Sequence, residues 1–182
     1  MAADDTTLID ELAFPYRASA AYQALMARGA AATPGIVRAL KHESADARYH
    51  CCRLLDQLLT PDALGPLIGM LDDPDARVRY TALHSLSCDR CKDDVCLPTD
   101  GPLLAKALDL LAADPSAHVR AYAIEAVGRS VPENARAVEA IERAAASDPS
   151  PAVRKKARWY APGGPIYRRS VRSASRLRRA GS

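Results

Sequence analysis

The sequence predicts an all-α fold, a right-handed α-solenoid of four to five stacked helical hairpins, and three observations carry that prediction. A ten-residue frame, D-P-x-x-x-V-R-x-x-A, recurs at Asp73–Ala82, Asp114–Ala123 and Asp148–Ala157. Setting Leu40 against Leu71 exposes a weaker upstream copy, in which Arg48 falls on Arg79, Cys51 on Ala82 and Leu55 on Leu86. The four copies of the arginine are 31, 41 and 34 residues apart, the period of helical repeats. No segment alternates apolar and polar residues with period two between turn signals, so no sheet is expected. One hairpin cannot hide its own apolar stripe, whereas stacked neighbours can.

The helices follow in order. Thr6–Phe14 and Ala18–Arg28 form a first pair broken at Pro15, with Leu8, Ile9 and Leu12, then Ala21, Leu25 and Met26, as apolar stripes. Gly29 suits the residue that ends the second helix. Thr33-Pro34 opens a short helix through Leu40, and Asp46–Leu59 is its longer amphipathic partner. Thr60-Pro61 starts a helix to Leu71, followed by one from Asp73-Pro74 to Ser87. Leu103–Ala112 pairs with Pro115–Arg129, and Glu133–Ala146 with a last helix from Asp148-Pro149 to Tyr160. In each frame the aspartate is expected to act as N-cap and the proline to occupy the first helical position, where no N–H is needed. Val and Ala, four residues apart, then share the buried face.

In these residues the chain resembles the HEAT repeat family in its short, PBS-lyase-like form, over most of residues 33–160. The resemblance implies a binding scaffold, and it implies that Arg79, Arg120 and Arg154, with Asp73, Asp114 and Asp148, are structural: the arginine pairs with the capping aspartate of a neighbouring repeat. An arginine ladder lining a phosphate groove is the competing interpretation. HEAT-like proteins similar to this one include phycobilin lyases, which attach or isomerise bilins, but the likeness brings no active-site residue with it. HEAT-like alkylpurine DNA glycosylases, with their basic groove, fit an acidic body poorly.

Composition narrows the classes further. The chain has 182 residues, 48% hydrophobic but only 5% aromatic, so its core is built from Ala, Leu and Val. No apolar run approaches membrane-spanning length, and the acidic N-terminus lacks a signal's basic region, so a cytoplasmic protein is expected. Abundant Ala and the preference for Arg over Lys suit a GC-rich bacterial genome. The net charge of +3 hides a split: all 22 acidic residues lie at or before Asp148, while residues 154–182 hold 10 basic residues and no acid.

Two segments stand apart from the repeats. The 41-residue step contains a polar, cysteine-rich loop, residues 87–101, with the spacing C-x2-C-x4-C at Cys88, Cys91 and Cys96. Two thiolates at C-x2-C spacing can reach one tetrahedral ion. His84, four residues before Cys88 and on the same helix face, completes a candidate Cys3His site for structural zinc; His50 or Cys52 could also approach. Reduced thiols without a cofactor, a Cys91–Cys96 disulfide or an iron–sulfur centre are the alternatives. Cys51 and Cys52 align with buried positions and are expected as small core residues.

Residues 161–182 form the second segment, where Ala161-Pro162-Gly163-Gly164-Pro165 breaks any helix and six arginines follow: Arg168, Arg169, Arg172, Arg176, Arg178 and Arg179. This tail cannot bury enough surface to fold alone and is expected to be disordered until bound. Its arginine forks suit phosphates, with Tyr167 stacking on a base, which predicts salt-dependent attachment to RNA or DNA, ribosomal RNA included. An acidic protein surface or a merely solubilising role are the other options. There is no G-x-S-x-G, H-E-x-x-H or phosphate-cradling glycine loop. The expected function is therefore a non-catalytic adaptor that binds a protein partner and adds contact to nucleic acid through its tail. The alternative is a phycobilin-lyase-like enzyme or enzyme-associated subunit.

Overall fold

A computed structural model of the chain describes residues 4–87 and 101–171. These residues are helical with no strand among them, and the chain divides into two compact units, Met1–Leu97 and Pro98–Ser182. The fold is the all-α hairpin repeat that the sequence predicts. In unit 1 the helices are α1 (Asp5–Glu11), α2 (Pro15–Arg28), α3 (Thr33–Arg38), α4 (Ala45–Gln57), α5 (Pro61–Gly69) and α6 (Ala76–Ser87). In unit 2 they are α7 (Gly101–Ala113), α8 (Ala117–Gly128), α9 (Ala135–Ser147) and α10 (Pro151–Tyr160). Each odd-numbered helix packs on the even-numbered helix that follows it. In unit 1 α1, α3 and α5 form one layer and α2, α4 and α6 the other; in unit 2 α7 lies beside α9 and α8 beside α10.

The repeated frame explains the core. Val78, Val119 and Val153, with Ala82, Ala123 and Ala157, are fully enclosed, and Cys51 is equally buried at the alanine position of the upstream copy. Small residues there let the even-numbered helices approach closely. Larger side chains fill the seam between layers, with Leu12, Leu25, Ile36, Leu54, Leu67, Leu83 and Leu86 in unit 1 and Ile124 and Ile141 in unit 2. In unit 1 Ser85 on α6 donates to the Cys52 carbonyl of α4 at 2.9 Å, so even this buried hydroxyl is satisfied.

The helix starts differ from expectation in one respect. Asp73, Asp114 and Asp148 are not N-caps: each Oδ1 accepts the N–H two residues on, from Asp75, Ser116 and Ser150, all at 2.8 Å. This is an Asx turn, and the proline between sets its φ instead of opening the helix. In α8 the cap is Ser116, whose hydroxyl accepts from Val119 N at 3.5 Å. The helix start moves two residues on, and in two of the copies the aspartate carboxylate turns to an arginine, Asp73 to Arg48 and Asp148 to Arg120. The first pair divides just before Pro15, as expected, but α2 begins at Pro15 itself and not at Ala18.

At the end of unit 2, residues 165–171 are helical where disordered chain is expected. Pro165 supplies the helix-compatible φ, and Arg168 N donates to Gly164 O at 3.0 Å. In the same unit Gly128, at the end of α8, admits the Tyr160 ring of α10, which a Cβ would overlap. Gly128→Ala is expected to cost about 1–3 kcal/mol through overpacking. The urea midpoint followed by Trp159, the chain's single tryptophan, measures it.

Candidate ligand groove

The arginine ladder uses its donors within the protein. In unit 1 Arg48 grips Asp73 of the next repeat with two bonds, Nε to Oδ2 at 2.7 Å and NH2 to Oδ1 at 3.1 Å. Its remaining nitrogen donates to the carbonyls of His42 and Glu43 in its own turn at 2.8 and 2.9 Å. In unit 2 Arg120 repeats the arrangement on Asp148 at 2.8 and 3.0 Å, with Asp114 O at 2.8 Å. Arg79 and Arg154 bind the carbonyls of Asp73 and Asp148, each six residues back. Arg48 and Arg120 thus tie one turn to the next, whereas these bonds of Arg79 and Arg154 close their own turns.

The groove lies on the outer side of the even-numbered helices of unit 1. Asp46, Tyr49, His50 and Arg53 fall on one face of α4 because they follow i, i+3, i+4, i+7. Tyr22 of α2 and Arg77 of α6 flank them, and together with Leu12, Pro15, Ala18, Ser19 and Gln23 they enclose about 420 Å³. The Arg53 guanidinium lies 4.8 Å from the Tyr22 ring centre and 5.7 Å from that of Tyr49. The Tyr22 hydroxyl donates to Arg53 O at 3.3 Å. His50 stands edge-on to Tyr49, 5.1 Å between centroids, and to Tyr22 at 6.2 Å. Arg77 bridges Asp46 at 2.7 Å and Asp75 at 2.8 Å, and its side-chain hydrogen bonds, with its backbone N–H and charge behind them, hold the Asp75 carboxyl below the ordinary range.

Two further groups are perturbed here. Burial chiefly, then the Arg53 charge, lowers the His50 pKa, so the ring is neutral near pH 7, and its enclosed Nδ1 has no hydrogen-bond partner. Burial raises the Tyr22 hydroxyl above its usual value. In unit 2 the corresponding helices carry Tyr122 with Lys156 at 5.0 Å, Lys156 also pairing with Glu125, and Trp159 with Lys155 at 5.8 Å.

Of the candidate site residues singled out in the sequence, His50 lines this groove and the other described ones do not. Of the candidate zinc set only His84 is described; its Nε2 is 3.8 Å from Asp56 Oδ2 on α4. Cys88, Cys91 and Cys96 lie outside the described residues, among which no three His, Cys, Asp or Glu side chains are grouped to hold a metal. Cys51 and Cys52 are buried free thiols, the first pushed up to about 12 by burial, which suits core residues and opposes thiolate ligation. Tyr167 is half-buried and Arg168 and Arg169 are exposed, with Arg168 donating to Gly163 O at 2.5 Å. Arg172, Arg176, Arg178 and Arg179 also lie outside the described residues. What the sequence did not single out is Tyr22, Tyr49, Arg53 and Arg77; the one signal was aromatic and arginine residues at helical spacing on the polar face of α4.

The family model of HEAT repeats matches residues 7–87 and 33–109. The chain belongs to the HEAT repeat family. Curated proteins gave this HEAT-repeat chain no match. Among solved structures it is similar to a chain of the complex of CpcE and CpcF of phycocyanin lyase from Nostoc sp. PCC7120. The two are 25% identical, the match covers 84% of this chain and 95% of that one, and the TM-score is 0.67. This corrects the expectation of a non-catalytic adaptor held to nucleic acid by its arginine tail. The likeness runs over nearly a whole lyase chain, and it favours the lyase-associated alternative. Among the described residues no helix is long and apolar enough to cross a membrane.

Proposed function

We propose that this HEAT-repeat chain is enzyme-associated: a phycobilin-lyase-like subunit that works with a second protein chain on a linear tetrapyrrole. The observation that carries this reading is the likeness to the phycocyanin lyase complex across 95% of the matched chain, since a generic repeat match would not require such length. That relative is part of a complex of two different chains, which supports a protein partner here. The groove of unit 1 adds chemical support, because the Tyr22, Tyr49 and Arg53 side chains that line it suit an extended conjugated molecule. In this role the chain's own residues hold and orient the chromophore, and the partner chain completes the site.

Titrating a phycobilin with the purified full-length chain tests the reading. The expected result is a saturable red shift of the visible band with induced circular dichroism. An unchanged bilin spectrum, alone and with a co-purified partner, contradicts it.

A further inference from the structure

We infer that Arg154, the last arginine of the ladder, is a docking point for an aspartate of another protein chain, presented in an acidic turn at the start of a helix. The inference stands on the ladder and is independent of the lyase-like reading. Its first support is the geometry of the other rungs. In unit 1 Arg48 binds the carbonyls five and six residues back through one nitrogen and grips Asp73 with the other two. In unit 2 Arg120 binds Asp114 O and Pro115 O in the same way, and Asp148 with its other nitrogens. Arg154 makes the first half of this pattern, Nη1 donating to Asp148 O at 2.5 Å and to Pro149 O at 3.2 Å. Its guanidinium is thus held by the same two bonds as that of Arg120. The Asp148 carboxylate is taken by Arg120, and among the described residues no carboxylate lies within ion-pair distance of Arg154. Residues 149–182 contain no acidic side chain that could pair with it.

The second observation concerns what the aspartate is for. Setting Leu40 against Leu71 places His42 at the Asp73 position, and there His42 Nδ1 accepts the Ser44 N–H at 3.0 Å. The turn therefore closes without a carboxylate, and the carboxylates of Asp73 and Asp148 add the acceptor for the preceding arginine. A planar fork with one edge already held selects a two-oxygen acceptor. The third observation is the surroundings. Arg158 lies one turn along α10 on the same face as Arg154, exposed, at the frame position where Leu83 and Ile124 are buried. This face does not continue the apolar seam; with Lys155 also exposed, it offers positive charge to an acidic surface. A second copy fits poorly as the occupant, since the turn between its α1 and α2 is Leu12, Ala13 and Phe14, without a carboxylate.

The probe is a fluorescein-labelled peptide of residues 70–82, the acidic turn that Arg48 holds in unit 1, blocked at both ends and compared with its Asp73→Asn form. In anisotropy titrations the full-length chain is expected to bind the aspartate peptide about tenfold more tightly, the worth of a charge-assisted hydrogen-bonded pair. In Arg154→Gln that preference falls below about twofold, and in Arg154→Lys, which keeps the charge without the fork, below about fivefold. Arg136→Gln, at an exposed position of α9, leaves it unchanged. Far-UV circular dichroism confirms that each variant is folded. Equal binding of the two peptides, binding of neither, or a full preference surviving either Arg154 substitution overturns the inference. Arg154-dependent binding of a single-stranded RNA that displaces the peptide overturns it too. The peptide preference and the bilin response are separate readouts, so the failure of one leaves the other reading standing.

Discussion

Asp148→Ala is expected to remove about 3–5 kcal/mol of unfolding free energy, because it strands a buried charge. The Asp148 side chain is 4% exposed and that of Arg120 10%, so water can replace little of the lost partner. Asp148 accepts two bonds from Arg120 and one from Ser150 N, and without it the guanidinium keeps its bonds to the carbonyls of Asp114 and Pro115. The pair itself is not the source of an equal gain, since burying both ions is costly. The double variant Arg120→Met/Asp148→Leu is therefore expected to recover most of the loss. Urea unfolding followed by Trp159 fluorescence compares the three proteins.

The same carboxylate sets a pH dependence. Burial is the largest single influence on Asp148 and favours its neutral form. The Arg120 hydrogen bonds, the Ser150 N–H and the charges of Arg120 and Arg154 together outweigh it, and the carboxyl is held below 3.8. A depressed folded-state value means that the contribution is complete above the unfolded carboxyl's range and is lost as pH falls through the folded value. Wild type should lose stability on acidification below about pH 4 more steeply than Asp148→Ala, which lacks the titrating group.

Leu83→Ala is the second large effect, expected at about 2–5 kcal/mol. Leu83 is wholly enclosed on α6, which packs against α4 and α5. Helices joined by short turns and pinned by Arg48–Asp73 cannot close readily over the lost methyl groups, so a cavity remains. Backbone hydrogen exchange in α4 and α6 should accelerate to match the loss. An unchanged exchange pattern would show that the seam between these helices does not hold unit 1 together.

Much of this architecture was legible in the sequence because the frame is a packing code. Val78, Val119 and Val153 and the paired alanines had to be buried for the spacing to make sense, and they are. The aspartate turns were less legible: D-P followed by a helix reads as cap and first turn, and only the arginine of the preceding repeat shows that the carboxylate is engaged sideways. The groove was harder still. Tyr22, Arg53 and Arg77 come from three helices and each reads alone as an ordinary exposed residue; only the stacking of α2, α4 and α6 brings them around one space. The kind of function was least legible, because D-P-x-x-x-V-R-x-x-A secures repeats whatever they hold. The likeness over nearly a whole lyase chain is what points away from the arginine tail.

Covalent chromophore transfer tests the lyase-like account most directly. The full-length chain, a second protein chain co-purified with it, a phycobilin and a colourless acceptor apoprotein are combined, and the acceptor is assayed for pigment on a denaturing gel. The account predicts bilin fluorescence on the acceptor that depends on this chain. Equal pigment with the chain left out, or none with every component present, would contradict it.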